Sequence, residues 1–366
     1  MDFSSFEKLA RQLSDLEVAV FLSLVAREHC LIETSDDLID DLAQELALVC
    51  THSLGLAYSI LDCSAETSTN DLCNGSLTPS ARKEQEEPAI SRLKSESSGN
   101  LSTLGTAQSR DQSRHAAPRS PEEGINVVNV VIAKNFNLVD HDVQLQALQL
   151  MRSRHLFMES YTLNAPANFI FIPLVVRESE QLQPPLNCYL NEHLLVSHYH
   201  AAVDGFSYLE QDDWLSDDRD SASSVIYKPI HHQQKSTKIS ETTIEKLREA
   251  SDCVTISAEI MRYMQDIIVF LRLSRGMGGG IYAKANLHLS RFSRLLAALQ
   301  GFDFITPTIV ALAAEKVLRH RIIVATPDRD RSMQYGSDVQ TVSRILADIT
   351  PDSILDGVFQ EVEPPV

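Results

Sequence analysis

Two continuous apolar runs, separated by a helical segment, constrain the fold of this chain most strongly. The runs cover residues 127–133 and 169–176, and both are rich in β-branched side chains. Runs without regular polar alternation are typical of strands that are buried on both faces of a parallel sheet. Between them, residues 144–157 repeat apolar side chains at helical spacing. A strand, a helix and another strand in this order predict an α/β fold with a parallel sheet.

The residues before these runs extend the same pattern. Residues 5–28 are predicted to be helical, 30–32 to form a short strand, and about 36–50 to form a second helix with one apolar stripe. A further strand is predicted over residues 56–61. We therefore assign residues 5–63 and 125–200 to one α/β core.

Two polar segments separate the predicted ordered parts. Residues 64–124 are rich in Ser, Glu, Arg and Gln and contain no aromatic residue, so we predict a disordered insertion. Residues 201–249 include an acidic cluster between Asp212 and Asp220. Such charge runs are usually solvated, and we predict a polar linker there.

The last part of the chain, residues 250–366, is predicted to be a small all-α domain separate from the α/β core. Ser257 is placed to cap one helix. Thr306 and Pro307 mark the start of another, with the threonine as cap and the proline in the first helical position. Four helices are predicted in this domain, the last over residues 337–347.

Composition limits the classes of partner. With 32 basic and 50 acidic residues, the chain carries a net charge of -18, which disfavours binding to nucleic acid or to anionic membranes. No apolar stretch reaches about 18 residues, and the first residues lack the pattern of a signal peptide. The six cysteines form no CxxC pair, so a reducing intracellular location, cytoplasmic or nuclear, is predicted.

The C-terminal domain carries the clearest family resemblance. Residues 279–285 read GGIYAKA, residues 301–307 read GFDFITP and residues 317–322 read VLRHRI. In order and spacing these motifs resemble the lid of the AAA+ family that contains MoxR-type ATPases and the ATPase subunit of magnesium chelatase. The layout is also similar to fungal magnesium-chelatase-like proteins. The resemblance implies an AAA+ core with a parallel sheet, followed by a small all-α lid.

The resemblance also implies where nucleotide would bind, and the residues there depart from the family pattern. The Walker A turn, which should offer glycines and a lysine to phosphates, holds Asp36, Asp37 and Asp40. Carboxylates beside a triphosphate repel it. The Walker B strand, which should end in Asp-Glu for magnesium and water, ends in Ala133 and Lys134.

The remaining nucleotide positions also differ. The sensor-1 asparagine position falls on Val176, or on Val175 if the register slips by one residue. The position of the arginine that reaches a neighbouring subunit is Glu192. Only Lys284, at the sensor-2 position, keeps a positive charge, although an ammonium lacks the fork of a guanidinium.

These positions lead to three hypotheses. The first is a non-catalytic AAA+ homologue that acts as a structural or regulatory interaction subunit, with protein partners that include AAA+ subunits of an oligomer; it needs no cofactor, and we assign no catalytic residue. The second is a working ATPase or chelatase-type motor subunit, in which Lys284 and Lys134 hold the phosphates of ATP with magnesium. The third is a binding module whose old nucleotide cleft accepts a cationic ligand.

Three smaller groups of residues each allow a functional and a purely structural interpretation. Lys134 can replace magnesium as a fixed cation beside Asp36, Asp37 and Asp40, or it can simply begin a surface loop. A polar loop is favoured over a transition-metal site for the group Glu192, His193, His198, His200 and Asp204. The thiols of Cys30 and Cys63 lie in or beside apolar strands, where a cysteine is usually inert rather than nucleophilic.

Overall fold

The computed structural model describes residues 4–78, 126–158, 162–177, 186–210 and 238–365. Five strands form a parallel sheet in the order β2-β3-β6-β1-β7, and a separate hairpin supplies β4 and β5. In chain order the strands are β1 (His29–Thr34), β2 (Tyr58–Asp62), β3 (Val130–Lys134), β4 (His155–Phe157), β5 (Thr162–Asn164), β6 (Ile170–Val176) and β7 (Leu194–Tyr199). The predicted parallel α/β sheet is confirmed.

The strand register brings the carboxyl ends of the strands to one side of the sheet. Lys134 pairs with Leu174 and with Asp62, and Thr34 pairs with Val176. We call this side the carboxyl edge. The opposite side, where Glu28 precedes β1 and His193 precedes β7, is the amino edge.

Helices cover both faces of the sheet. The core helices are α1 (Ser4–Ala10), α2 (Asp15–Ala26), α3 (Ile39–Leu48), α4 (Thr69–Gly75), α5 (His141–Ser153) and α6 (Cys188–Asn191). The single helix predicted over residues 5–28 is two helices, because Ser14 and Glu17 form a capping box that starts α2. One face packs against α2 and α3, and the other packs against α4 and α5.

The ordered core continues beyond residue 63, where the predicted insertion was expected to begin. Leu72 and Cys73 of α4 are buried, and Leu77 forms a bridge with Val127. Polar composition hid this helix, because only a few apolar side chains anchor it. The rest of the predicted insertion, from residue 79 to 124, lies outside the described residues.

The C-terminal part is helical, with one short hairpin. Its elements are α7 (Glu241–Cys253), α8 (Ala258–Leu273), β8 (Met277–Gly279), α9 (Ala283–Leu299), α10 (Pro307–Leu318), β9 (Ile323–Val324), α11 (Val339–Leu346) and α12 (Pro351–Glu361). The predicted caps at Ser257 and Thr306 are confirmed. The predicted linker over 201–249 was too long, because α7 begins at Glu241.

The start of that predicted linker contacts the core, because Glu45 of α3 accepts hydrogen bonds from the backbone N–H groups of Tyr208 and Leu209.

The predicted small helical lid after the α/β core is confirmed, and the lid packs directly on the core. One continuous apolar cluster joins both parts, because α9 packs on α2 and α7, and α10 packs on β7. Its members from both parts include Val20, Leu24, Val196, Leu296 and Val310. Among the described residues, each helix is too short or too polar to cross a bilayer.

Candidate functional site

The turn that follows β1 is short and acidic. A 3-10 helix, Asp36–Leu38, leads directly into α3, without a wide loop that could wrap a phosphate. The side chains of Asp36, Asp37, Asp40 and Asp41 are exposed. Acids in a first helical turn are stabilised by the helix dipole, and the carboxylates that occupy this turn repel a phosphate group.

Lys134, at the end of β3, forms ion pairs across the carboxyl edge. Its Nζ lies 2.5 Å from Asp40 Oδ1 and 3.2 Å from Asp62 Oδ2. Burial would lower the pKa of Lys134, but the hydrogen bonds to Asp40 and Asp62 outweigh it and raise that pKa. The structure therefore pairs Lys134 with one of the three predicted aspartates and with Asp62, and shows no ion pair to Asp36 or Asp37.

Lys134→Ala is expected to lower the free energy of unfolding by about 1 kcal/mol. Asp40 and Asp62 are 73% and 71% exposed, so solvent screens much of the attraction. Urea denaturation monitored by circular dichroism measures the effect. Asp41→Asn is the matched control, since this exposed side chain forms no ion pair with the described residues. A transition unchanged in Lys134→Ala would reject a stabilising role for the pair.

Ala133 and Val176 supply no polar group to the carboxyl edge. Ala133 is fully buried and pairs with Pro173 in β6. Val176 ends β6 beside Thr34. At these positions the edge therefore lacks the carboxylates and the amide that bind magnesium and orient water.

Lys284 lies at the amino edge, away from the aspartates. Its Nζ is 2.5 Å from Nδ1 of His193, which precedes β7. Burial lowers the pKa of Lys284, and burial followed by the charge of Lys284 lowers the pKa of His193 to about 4. Within one chain, Lys284 and Asp36 lie at opposite edges of the sheet, so the structure brings Lys134 and Asp40 together but leaves Lys284 apart from them. The sensor-2 role of Lys284 stays a prediction.

The carboxyl edge holds an ion network that the sequence did not reveal. Nη1 of Arg319, from the lid, donates to Oε2 of the buried Glu33 at 3.0 Å. The same guanidinium binds both carboxylate oxygens of Asp352 in α12, at 2.7 and 3.2 Å. Glu33 belongs to β1 of the sheet and Asp352 belongs to the lid. Arg319 binds both, so it links the lid to the core. The only sequence signal was the arginine pair in the VLRHRI motif.

A polar cavity of about 330 Å³ adjoins this network. Arg177 lies 3.7 Å from Asp352, and its guanidinium stacks 4.7 Å from the ring centroid of Tyr199. In the cavity wall, Arg177 and Arg319 already have carboxylate or aromatic partners. The cavity wall thus joins the core to the lid through charge pairs.

Arg321 joins the lid to the amino edge. The side chain is buried, and it donates to the carbonyl of Leu194 at 2.5 Å, to Nδ1 of His288 at 2.7 Å and to the carbonyl of Val317. Burial lowers the pKa of Arg321 to about 9. The two arginines of one motif therefore clamp the lid at both edges of the sheet.

The candidate metal and thiol residues do not form a reactive site. His193 lies at the amino edge, whereas His198 and His200 pack together at the other end of β7, with ring centroids 6.0 Å apart. No group of three or more potential ligands converges in the part of the chain that the structure describes. Burial raises the pKa values of the Cys30 and Cys63 thiols to about 12, which disfavours the nucleophilic thiolate.

The parallel α/β core followed by a helical lid is the architecture of an AAA+ fold. Residues 275–345 match the family model of the AAA lid domain. The fold is similar to that of a presumed ATPase from Cytophaga hutchinsonii, with a TM-score of 0.62 and 14% identity over 99% of this chain and 94% of that chain. At this identity the likeness concerns the fold alone.

Two curated yeast proteins share part of the sequence. Both are called maintenance of telomere capping protein 2. The Kluyveromyces lactis protein is 30% identical over 100 residues, 26% of this chain and 36% of its own length. The Lachancea thermotolerans protein is 30% identical over 115 residues, 30% of this chain and 40% of its own length. The match thus spans well under half of either relative.

Proposed function

We propose that this chain is a catalytically degenerate AAA+ protein, of the MoxR and magnesium-chelatase type, that acts as a structural or regulatory interaction subunit without ATP hydrolysis. The observation that carries the proposal is the pairing of Lys134 with Asp40 and Asp62. A cation of the chain itself occupies the end of β3, where the family resemblance implies a magnesium ligand. The pairing places a positive charge beside Asp40 and Asp62 without a bound metal ion.

The residues present do not fit ATP with magnesium. Asp36 and Asp37 stand where phosphate donors are needed, and the end of β3 offers Ala133 and an ammonium group instead of oxygen ligands. Lys284 is held at the other edge by His193. We therefore assign no cofactor and no catalytic residue.

The network through Arg319 supports a structural role. In a nucleotide-driven module the lid must move relative to the core during each cycle. Here Glu33, Arg319 and Asp352 link the two parts directly, and one apolar cluster runs through both. Such a module presents one fixed surface to its partners, which suits an interaction subunit.

The purified chain is expected to release no phosphate from ATP above background. It is also expected to show no ATP binding by calorimetry up to about 1 mM with magnesium, because carboxylates at the turn repel phosphates. A variant with Asn at positions 36, 37, 40 and 41 controls for the repulsion. It should bind ATP more tightly than the parent chain but still not turn it over.

Micromolar ATP binding with turnover by the parent chain would overturn the proposal and favour a working motor subunit. Loss of that turnover in Lys134→Ala would then assign the phosphates to Lys134. A melting curve of each protein in the same buffer shows whether a loss of turnover is caused by a folding defect.

The cellular role follows from the relatives only as a proposal. Their name refers to telomere capping, and we extend that process to this chain together with a nuclear location. The partners would be proteins, including other AAA+ subunits, since the charge of -18 disfavours direct contact with nucleic acid. Affinity purification of the tagged full chain from nuclear extract, followed by mass spectrometry, tests this assignment. Partners confined to other compartments would contradict it.

A further inference from the structure

A cavity of about 240 Å³ lies between the core and the lid, and we call it the seam cavity. The turn between α1 and α2 and strand β7 form its core side, and α9 and α10 form its lid side. Its apolar wall includes Leu13, Val18, Phe292, Leu296, Leu299 and Leu312. An apolar cavity of about 150 Å³ is large enough to bind benzene, so the seam cavity has room for a small organic molecule.

A buried histidine in the wall of the seam cavity has an unsatisfied ring nitrogen. His198 is 4% exposed, and its Nε2 has no hydrogen-bond partner among the described residues. Burial, and then the charge of Lys316, lower the pKa of His198 to about 4, so the imidazole is neutral near pH 7. A neutral imidazole can donate one hydrogen bond and accept another. Because a buried polar group without a partner costs free energy, a ligand that forms a hydrogen bond with His198 would be favoured.

The same wall contains one positive and one negative side chain, which differ in their exposure. Lys316 of α10 is half-buried, and it forms no ion pair within the part of the chain that the structure describes. Asp15, at the start of α2, is exposed, so water solvates its carboxylate. Gln300 adds a neutral polar group. The charge that an occupant of the cavity can best satisfy is therefore the ammonium group of Lys316, and a carboxylate is the matching group.

The seam cavity adjoins the polar cavity of about 330 Å³ described above, because Ser197 and Lys316 line both. In the wall of the polar cavity, Arg177 and Arg319 already have carboxylate or aromatic partners, and Glu315 is exposed to solvent. The site thus changes from apolar to polar at Lys316. A molecule with an apolar body in the seam cavity and a charged end would place that end beside this lysine.

We propose that the seam cavity binds a small monocarboxylate whose apolar body is the size of a benzene ring or a short alkyl chain. The body would pack against Leu296 and Leu312, and the carboxylate would pair with Lys316 and accept a hydrogen bond from His198. A few placed polar groups in a mainly apolar wall are typical of small-molecule sites. Such a ligand would contact β7 of the core and α9 and α10 of the lid together. The site shares no residue with the acidic turn or the end of β3, so it does not depend on whether the chain hydrolyses ATP.

Calorimetric titration of the full chain with octanoate near neutral pH tests the proposal. We expect a Kd of about 1 mM or tighter, which is reasonable for a ligand of about ten non-hydrogen atoms. Octylamine has the same chain length and the opposite charge, so it should bind at least about tenfold more weakly. Absence of octanoate binding up to about 10 mM, or equal binding of octylamine, would overturn the proposal.

Variants of the cavity wall place the octanoate at this site. Lys316→Gln should weaken octanoate binding at least about tenfold, and His198→Phe should also weaken it, because each removes a partner of the carboxylate. Lys246→Gln makes the same change of charge at an exposed position of α7 outside both cavities, and it should bind like the parent. Equal binding by the two lysine variants would overturn the proposal.

Val18→Phe fills part of the seam cavity with a larger side chain and should reduce octanoate binding. A melting curve of this variant shows whether it is folded. A folded Val18→Phe protein that binds octanoate like the parent would contradict the proposed site, and if the variant does not fold, the comparison of Lys316→Gln with Lys246→Gln decides.

Discussion

Arg319→Ala is expected to lower the free energy of unfolding by about 3 to 5 kcal/mol. Glu33 is 3% exposed at its side chain, and Arg319 is its ion-pair partner at 3.0 Å. Removal of the guanidinium leaves the buried carboxylate of Glu33 without its ion-pair partner, and it leaves Asp352 of α12 paired with Arg177 alone among the described residues. Urea denaturation at pH 8, followed by circular dichroism, measures the loss.

The loss should depend on pH. Burial raises the pKa of Glu33, and Arg319 is the first of the charges that oppose this rise. Without Arg319 the pKa in the folded state rises further. A folded pKa above the unfolded value of about 4.3 means that stability falls as the pH rises through the interval between them. The deficit of Arg319→Ala should therefore be smaller at pH 5 than at pH 8.

Arg262→Ala is the matched control. Arg262 is 84% exposed and lies 3.6 Å from Asp266 one helical turn away, so its removal should change stability by less than about 0.5 kcal/mol at either pH. A deficit of Arg319→Ala that is equal at pH 5 and pH 8 would show that Arg319 acts by packing and not through the charge of Glu33.

Gly280→Ala is expected to destabilise the protein by more than about 3 kcal/mol. Gly280 has φ of +99°, and a Cβ there would lie 1.7 Å from the carbonyl oxygen of Arg321. The hairpin of β8 and β9 and the buried Arg321 would have to shift together. Thermal and urea unfolding of the full chain measure the effect.

Gly357→Ala separates this effect from the general consequences of adding a methyl group. Gly357 lies within α12, and its Cβ would meet no atom within 4 Å. Alanine favours a helix over glycine by about 1 kcal/mol, so this variant should be slightly more stable. A Gly280→Ala protein as stable as the parent would contradict the close contact between Gly280 and the carbonyl group of Arg321.

The elements were predictable where side-chain pattern dominates. The apolar run at 127–133 covers all of β3 except its last residue, and Thr306 with Pro307 starts α10, because burial and capping are local properties. Helix α4 was missed, because its anchoring depends on Leu72 and on a bridge to residue 127, which lies far along the chain. The contacts between the lid and the core could not be predicted for the same reason.

The site was predictable only in part. The acidic turn at Asp36 could be predicted directly, since the sequence itself shows four aspartates and no glycine or lysine in residues 34–41. The partners of Lys134 could not, because Asp62 approaches it only after β2 and β3 align. The distance between Lys284 and the turn, and the pairing of Glu33 with Arg319, depend on how the lid sits against the sheet, which no local pattern encodes.

The position of β7 has a consequence for how the chain is made. β7 pairs with β1 on one side only, and α10 of the lid packs against it. During synthesis the sheet emerges from the ribosome before α10 does, so β7 is for a time an uncovered edge strand. Such edges recruit other strands and promote aggregation. We therefore expect the sheet to complete its folding only after α10 has been synthesised.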